Sequence, residues 1–448
     1  MKRNLFLFTS FAVSYGTAIQ ASTLQTKIES SSDKPNIVLI VVDDMGYGDF
    51  GCYGNKNHKT PNIDRLAAEG ARLTDFHTNG VLSSPTRAAL MTGRYQQYNG
   101  IEGVVTAANH RDCGGLSTDA PTIAKIVRNG GYQTAIFGKW HLGYAPRFNP
   151  IHHGFDEFIG YVAGNVDYFT HIDQAGFEDW WKNDNKHPEE GYTTDIITNH
   201  ALQYINTHTD KPFFLYIPYE ACHSPMQGPG DKPQRIMVDG KMKTIKSSRR
   251  DFSTIYKEMV ESLDYNVGRI MQTLKEKGLD DNTLVLFFSD NGGSRFSCNA
   301  PWSGGKGSLL EGGHRVSSLA RFPGHIKPGT VSAETIITMD VMPTICEVAG
   351  ISLNGTKHDG VSYWKTLTEN RKMPERSLFW RTASGITVRK DNWKLTTDRD
   401  YTNPVLIDLE SDPKEKSNVA EANPIILQQL LKEIKEWDKN FVNIKQFT

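Results

Sequence analysis

Residues Asn36 to Val42 read Asn-Ile-Val-Leu-Ile-Val-Val, six consecutive apolar residues of which five are β-branched. A strand with one wet face alternates apolar and polar residues, so an unbroken run of this kind belongs to a strand covered on both faces. The run stops abruptly at Asp43-Asp44. Similar apolar strands are expected at Thr134 to Phe137, Phe213 to Ile217 and Leu284 to Phe288, with helical stretches between them. The clearest helix carries Tyr256, Met259, Val260, Leu263, Val267, Ile270, Met271 and Leu274, a three-and-four spacing that marks one apolar face. Strands alternating with helices predict an α/β fold built on a large, mostly parallel sheet sandwiched by helices. Ligands of such sheets bind beyond the carboxyl ends of the strands, which gathers Asp43, Asp44, Lys139 and Asp290 into one place.

With 50 basic and 51 acidic residues in 448, nothing in the charge balance points to nucleic acid or an anionic membrane surface as partner. Met1-Lys2-Arg3 followed by the mostly apolar Leu5 to Val13, with small residues around Ala18 and Ala21, reads as a signal peptide over residues 1–21. The apolar run is too short for a membrane span, and no Cys follows it to carry a lipid anchor. A secreted or periplasmic protein is expected. Cys52, Cys113, Cys222, Cys298 and Cys346 are scattered and odd in number, so no disulfide scaffold is expected. Beyond about residue 370 the texture changes to short alternating strands, Ile386-Thr387-Val388, Trp393-Lys394-Leu395 and Val405 to Leu409, and then a helix at about Pro424 to Trp437. The expected division is a catalytic unit over 35–370 and a small C-terminal α+β unit, an antiparallel sheet plus helix, over 371–448.

The chemistry-bearing residues fall at strand ends and one helix start. Ser83-Ser84-Pro85-Thr86-Arg87 places Pro85 in a first helical turn, where its missing N–H costs nothing. Free N–H groups at such a start, with Arg87 one turn on, suit a tetrahedral oxyanion, sulfate or phosphate alike. Taken alone, Ser83 or Ser84 could equally cap the helix. Asp43, Asp44 and Asp290 with the Asn291 amide form a hard oxygen donor set, which favours calcium or magnesium over zinc. Lys139 and His141 lie among glycines after the strand at 134–137, and imidazole is suited to proton transfer near neutrality. His223 follows the strand at 213–217, and Lys306 lies in the loop Gly304-Gly305-Lys306-Gly307.

The stretch Ser-x-Pro-x-Arg-x-x-Leu-x-x-Gly-Arg from Ser83 to Arg94 resembles the signature of the type I sulfatases of the alkaline phosphatase superfamily. The segment Gly131 to Gly143 resembles a second signature of that family, and Asp408 to Asn418 its C-terminal Asp-Leu-x-x-Asp-Pro-x-Glu-x-x-Asn stretch. The resemblance implies that Ser83 is oxidised by a radical maturase to formylglycine (3-oxoalanine), whose hydrate is the nucleophile. A serine there, in place of cysteine, implies a bacterial source. It further implies one Ca²⁺ held by Asp43, Asp44, Asp290, Asn291 and the hydrate formed from Ser83, with sulfate contacts from Arg87, Lys139 and Lys306. His141 is implied to take a proton from the hydrate's second hydroxyl, and His223 to protonate the departing alcohol. The expected activity is hydrolysis of sulfate monoesters, on a sulfated polysaccharide fragment such as ulvan, carrageenan or glycosaminoglycan. Asn165 to His171, Trp180-Trp181 and the loop at Arg295 are candidates to line a sugar pocket. Two other readings stay open on the residues alone: a phosphatase or phosphodiesterase of the same superfamily using Ser83 directly, and an inactive carbohydrate-binding relative.

Overall fold

The computed structural model describes residue 1 and residues 34–208, 210–249 and 251–446. The leader expected over residues 1–21 lies, Met1 apart, outside them.

The Asn36–Val42 run is the central strand of the large sheet, and none of its side chains meets solvent. It pairs in parallel with Thr283–Ser289 on one side and Phe213–Pro218 on the other, and the parallel block continues through Gln133–Lys139 to Glu157–Tyr161. Beyond Thr283–Ser289 the sheet turns mixed. Arg315–Arg321 and Ala71–His77 add antiparallel, and Thr330–Ser332 pairs parallel with Ala71–His77 at the edge. Helices Pro61–Glu69, Thr193–Thr207 and Phe252–Glu276 pack as one group, while Ser83–Thr92, Ile123–Asn129 and Val341–Val348 form another. The apolar face read from Tyr256 to Leu274 is the buried face of Phe252–Glu276, apart from the half-buried Met271.

A separate antiparallel sheet, Ser377–Arg381, Gly385–Lys390, Trp393–Asp398 and Val405–Asp408, is covered by the helix Pro424–Asp438. Leu430, Ile434 and Trp437 of that helix join Trp380, Ile386, Val388, Leu395 and Leu406 in a second core. All five cysteines are free. Among the described residues no helix is long and apolar enough to cross a membrane.

Candidate active site

Strand register builds the acidic half of the site. Val42 pairs with Ser289, so the residues that follow, Asp43-Asp44 and Asp290-Asn291, leave the sheet side by side. The Asp43 amide donates to the Ala221 carbonyl (3.0 Å) and the Cys222 amide to the Asp43 carbonyl (2.8 Å), which brings His223 alongside. Lys139 is the last residue of its strand, two places before His141. Asp44 (φ 59°) and His141 (φ 57°) both sit in the left-handed region, which costs non-glycine residues of order 1 kcal/mol and clusters at functional sites.

The helix Ser83–Thr92 begins over these groups. Its N-cap is Leu82, in extended conformation and with no side-chain cap, so neither serine caps the helix and Ser83 is its first residue. The whole helix is buried. Ser83 Oγ lies 3.3 Å from both Asp43 Oδ1 and Asn291 Oδ1 and 3.5 Å from Lys139 Nζ. Arg87 donates from Nε (3.2 Å) and Nη2 (2.8 Å) to Asp290 Oδ2, and from Nη1 to the Tyr216 hydroxyl (3.3 Å). Lys139 pairs with Asp43 Oδ2. Lys306 reaches both oxygens of Asp44, at 2.6 and 2.8 Å, and Asn291 Nδ2 donates to Asp44 Oδ1 at 2.8 Å. His223 Nε2 is 3.7 Å from Asp44 Oδ2. Eight of the nine other residues singled out in the sequence are therefore linked to Ser83 directly or through one another, and His141 stands two places after Lys139.

These contacts set the protonation states. Burial alone would raise the Asp44 carboxyl, but His223 and Lys306 bring it below its ordinary value. Lys306 is raised, burial being outweighed by Asp44, whereas burial pulls Lys139 down despite Asp43. Burial, reinforced by the Lys139 and Arg87 cations, drives His141 well below the usual imidazole value. Burial also lowers His223. His141 is thus neutral, and its Nε2 faces the Val105 carbonyl at 3.0 Å. A carbonyl only accepts, so Nε2 carries the hydrogen and Nδ1 keeps a lone pair. That Nδ1 is buried and has no hydrogen-bond partner.

A hard cation fits the acidic half. Asp43, Asp44 and the Asn291 amide oxygen stand close together, Asp290 accepts from the Asp44 amide at 3.4 Å, and His223 is the nitrogen donor grouped with Asp43 and Asp44, a mainly oxygen set in the chemistry preferred by Ca²⁺ or Mg²⁺. Formal charge adds a condition. Asp43, Asp44 and Asp290 are balanced by Arg87, Lys139 and Lys306. A divalent cation alone would unbalance this buried set, and an anionic group entering with it would offset part of the excess.

The sequence did not flag Tyr216 or Val105, and it offered Ser84 only as a cap; the Ser84 Oγ accepts from the Val105 amide at 3.1 Å and so ties the carbonyl of Val105 to the helix Ser83–Thr92. No sequence motif marks a backbone carbonyl. The proposed sugar-lining residues need correction. Tyr168 and Trp180 are fully or almost fully buried and serve packing, Tyr168 on Tyr192 and Trp180 on His171 and Tyr161. Their rings satisfy the core that supports the 163–173 loop. Arg295 is exposed and lies over the Phe296 ring.

An anion-binding helix start, an oxygen donor set and paired lysines at the carboxyl edge of this sheet define a hydrolase of the alkaline phosphatase-like fold, acting on a tetrahedral oxyanion ester. Residues 35–351 match the Sulfatase family, and residues 305–440 match the family described as N-sulphoglucosamine sulphohydrolase, C-terminal. The chain belongs to the sulfatase family and is an enzyme that hydrolyses sulfate esters. It is 33% identical to human N-acetylgalactosamine-6-sulfatase over 375 residues, covering 78% of this chain and 68% of the relative. Human arylsulfatase A is likewise 33% identical, over 88% of this chain and 86% of its own. Among solved structures, Ps i-CgsB in complex with k-i-k-neocarrahexaose has a TM-score of 0.81 and 30% identity, covering 93% of this chain and 94% of that one. The phosphonate monoester hydrolase of Agrobacterium radiobacter shares the fold, with a TM-score of 0.65 at 21% identity.

Proposed function

We propose that this sulfatase is exported and removes sulfate from a sulfated polysaccharide or its oligosaccharides, using Ser83 after its oxidation to formylglycine. The observation that carries the reading is the position of Ser83 Oγ, within 3.5 Å of Asp43, Asn291 and Lys139 at an uncapped helix start. The charged start and apolar stretch at residues 1–21 support export, and the carrahexaose bound to Ps i-CgsB supports a saccharide substrate.

Asp43, Asp44, Asp290 and Asn291 would hold one Ca²⁺, which when bound offsets substrate charge and acidifies a hydroxyl at residue 83. Arg87, Lys139 and Lys306 orient the sulfate group, the guanidinium held rigid by Asp290 and Tyr216. An oxygen on residue 83 attacks sulfur, and His223, at the partly exposed mouth, gives its proton to the departing alcohol. His141 Nδ1 then takes a proton from the second oxygen on residue 83 as sulfate leaves. The maturase acts before export, on the unfolded chain, because the helix Ser83–Thr92 is buried after folding.

Co-expression with a radical maturase, followed by mass spectrometry of the Ser83 peptide, should reveal the loss of two hydrogens. The same protein should hydrolyse an aryl sulfate, and Ser83→Ala should abolish turnover. Sulfate hydrolysis retained in Ser83→Ala would remove residue 83 from the reaction.

A further inference from the structure

Between His223 and the helix Phe252–Glu276 the chain forms a two-stranded hairpin, Arg235–Val238 with Lys241–Thr244, which joins neither of the larger sheets. Its pairs are Arg235 with Thr244, Ile236 with Lys243, Met237 with Met242 and Val238 with Lys241. Directly opposed residues share a face. Arg235, Met237, Met242 and Thr244 therefore lie on one side, and Ile236, Val238, Lys241 and Lys243 on the other.

The first side and its leading edge are fastened to the 163–173 loop. Arg235 donates to Asn165 Oδ1 (2.7 Å) and the Ile172 carbonyl (3.1 Å), and Asp167 Oδ2 accepts from the Gln234 and Arg235 amides at 2.7 and 2.9 Å. That loop is also the wall of the catalytic site. A Cβ on Gly164 would stand 2.7 Å from His141 Nε2, and the Tyr168 hydroxyl donates to the His223 carbonyl at 3.0 Å. The hairpin thus rises from the same rim that holds both histidines.

Its second side faces water and carries Lys241 and Lys243, and Lys246 follows two residues after the last strand residue, Thr244. From residue 232 to 249 there are six basic residues and one acidic, Asp239, in a chain whose overall balance is 50 to 51. Arg249 is neutralised by Asp231 and Glu258. Lys241, Lys243 and Lys246 are exposed, and none has a carboxylate partner among the described residues. Val238, beside them, is 43% exposed. Three unpaired lysines close in sequence, with the exposed Val238 opposite Lys241, complement a polymer that carries sulfate groups on rings with apolar C–H faces.

We infer that this hairpin is a docking ribbon for the sulfated polysaccharide chain beyond the sulfate being cleaved. The inference rests on the saccharide reading above and adds which surface holds the polymer. The test is the triple variant Lys241→Ala, Lys243→Ala and Lys246→Ala, assayed on a carrageenan-type oligosaccharide and on an aryl sulfate. KM on the oligosaccharide should rise about tenfold, as three exposed charge contacts allow. Aryl sulfate turnover should stay within about twofold, and the oligosaccharide difference should vanish near 1 M salt, where screening acts over about 3 Å. Binding of the same oligosaccharide to Ser83→Ala protein, with and without the lysine substitutions, measures docking without catalysis. Unchanged KM and Kd in the triple variant would overturn the inference. So would equal binding of a desulfated oligosaccharide or of DNA. If the unsubstituted enzyme fails on aryl sulfate, the catalytic reading fails, while binding to Ser83→Ala still decides the hairpin.

Discussion

At the scale of one residue, His141 shows how packing selects the tautomer that its proposed role as a base requires. Its ring is buried among cations that favour the neutral form, and the Val105 carbonyl fixes the proton on Nε2, leaving the Nδ1 lone pair free. The folded value lies well below the ordinary imidazole value of about 6.5, so the base is already deprotonated at mildly acidic pH. The acid limb of kcat on an aryl sulfate, measured from pH 4 to 8, should therefore lie below that value. A limb at or above it would remove His141 as the base. His141→Ala should lower kcat by about 10²–10⁴-fold, the span of general acid–base catalysis, with an unaltered circular dichroism spectrum.

At the scale of elements, the position of Lys139 depends on a glycine. Gly138 has φ +127°, a region closed to other residues, and a Cβ there would overlap the Pro218 carbonyl oxygen of the neighbouring strand. Gly160, paired with it in the next strand, has φ +149° and abuts Gly138 backbone in the same way. The obstruction is backbone, so no side-chain rotation relieves it. Gly138→Ala should destabilise the fold by about 1–3 kcal/mol and cut turnover about 100-fold by moving Lys139. Gly131→Ala is the control, because Gly131 also has positive φ (+92°) but open space around it. It should lose stability alone, read by urea unfolding beside an aryl sulfate assay. The sequence made four of the parallel strands and the acidic ends of two legible because fully buried strands are written in largely unbroken apolar residues, whereas the parallel Glu157–Tyr161 was not read. Ala71–His77 and Arg315–Arg321 were not legible, since Arg72, Thr74, Asp75, Arg315, Ser317 and Ser318 interrupt any apolar period. The polar atoms of Asp75 and Arg315 bond instead to residues distant in the chain.

On the scale of the molecule, those same residues bind the C-terminal sheet to the nucleophile. Arg389 of that sheet grips Asp75 through both oxygens (2.9 and 2.8 Å), and Lys394 bonds to Glu311 (3.0 Å) and Glu415 (2.8 Å). Between them His77 and His314 share a hydrogen bond through their Nδ1 atoms at 2.9 Å. Trp380, stacked on His314, donates from its indole to the Thr78 carbonyl at 2.7 Å, five residues before Ser83. His77, Glu311 and His314 have the spacing of metal ligands, but Arg389, Arg315 and Lys394 already supply the cationic charge there. A divalent ion would be repelled. Burial would raise Asp75 and Glu311, yet Arg389 and Arg315 hold Asp75, and Lys394 and Arg389 hold Glu311, well below ordinary carboxylate values. A depressed folded value gives stability that is present above the unfolded value of about 4 and is lost as pH falls through the folded one. Arg389→Met should therefore cost about 3 kcal/mol at pH 7, the low end for a broken buried pair because Arg315 keeps its 3.0 Å contact with Asp75. Urea unfolding should show that difference shrinking progressively below about pH 4, as Asp75 takes up its proton first in the variant, where its value is less depressed. A difference that stays constant down to pH 2 would mean that Arg389 acts by packing, and that the ion pair is not what fastens the C-terminal sheet to the strand leading into Ser83.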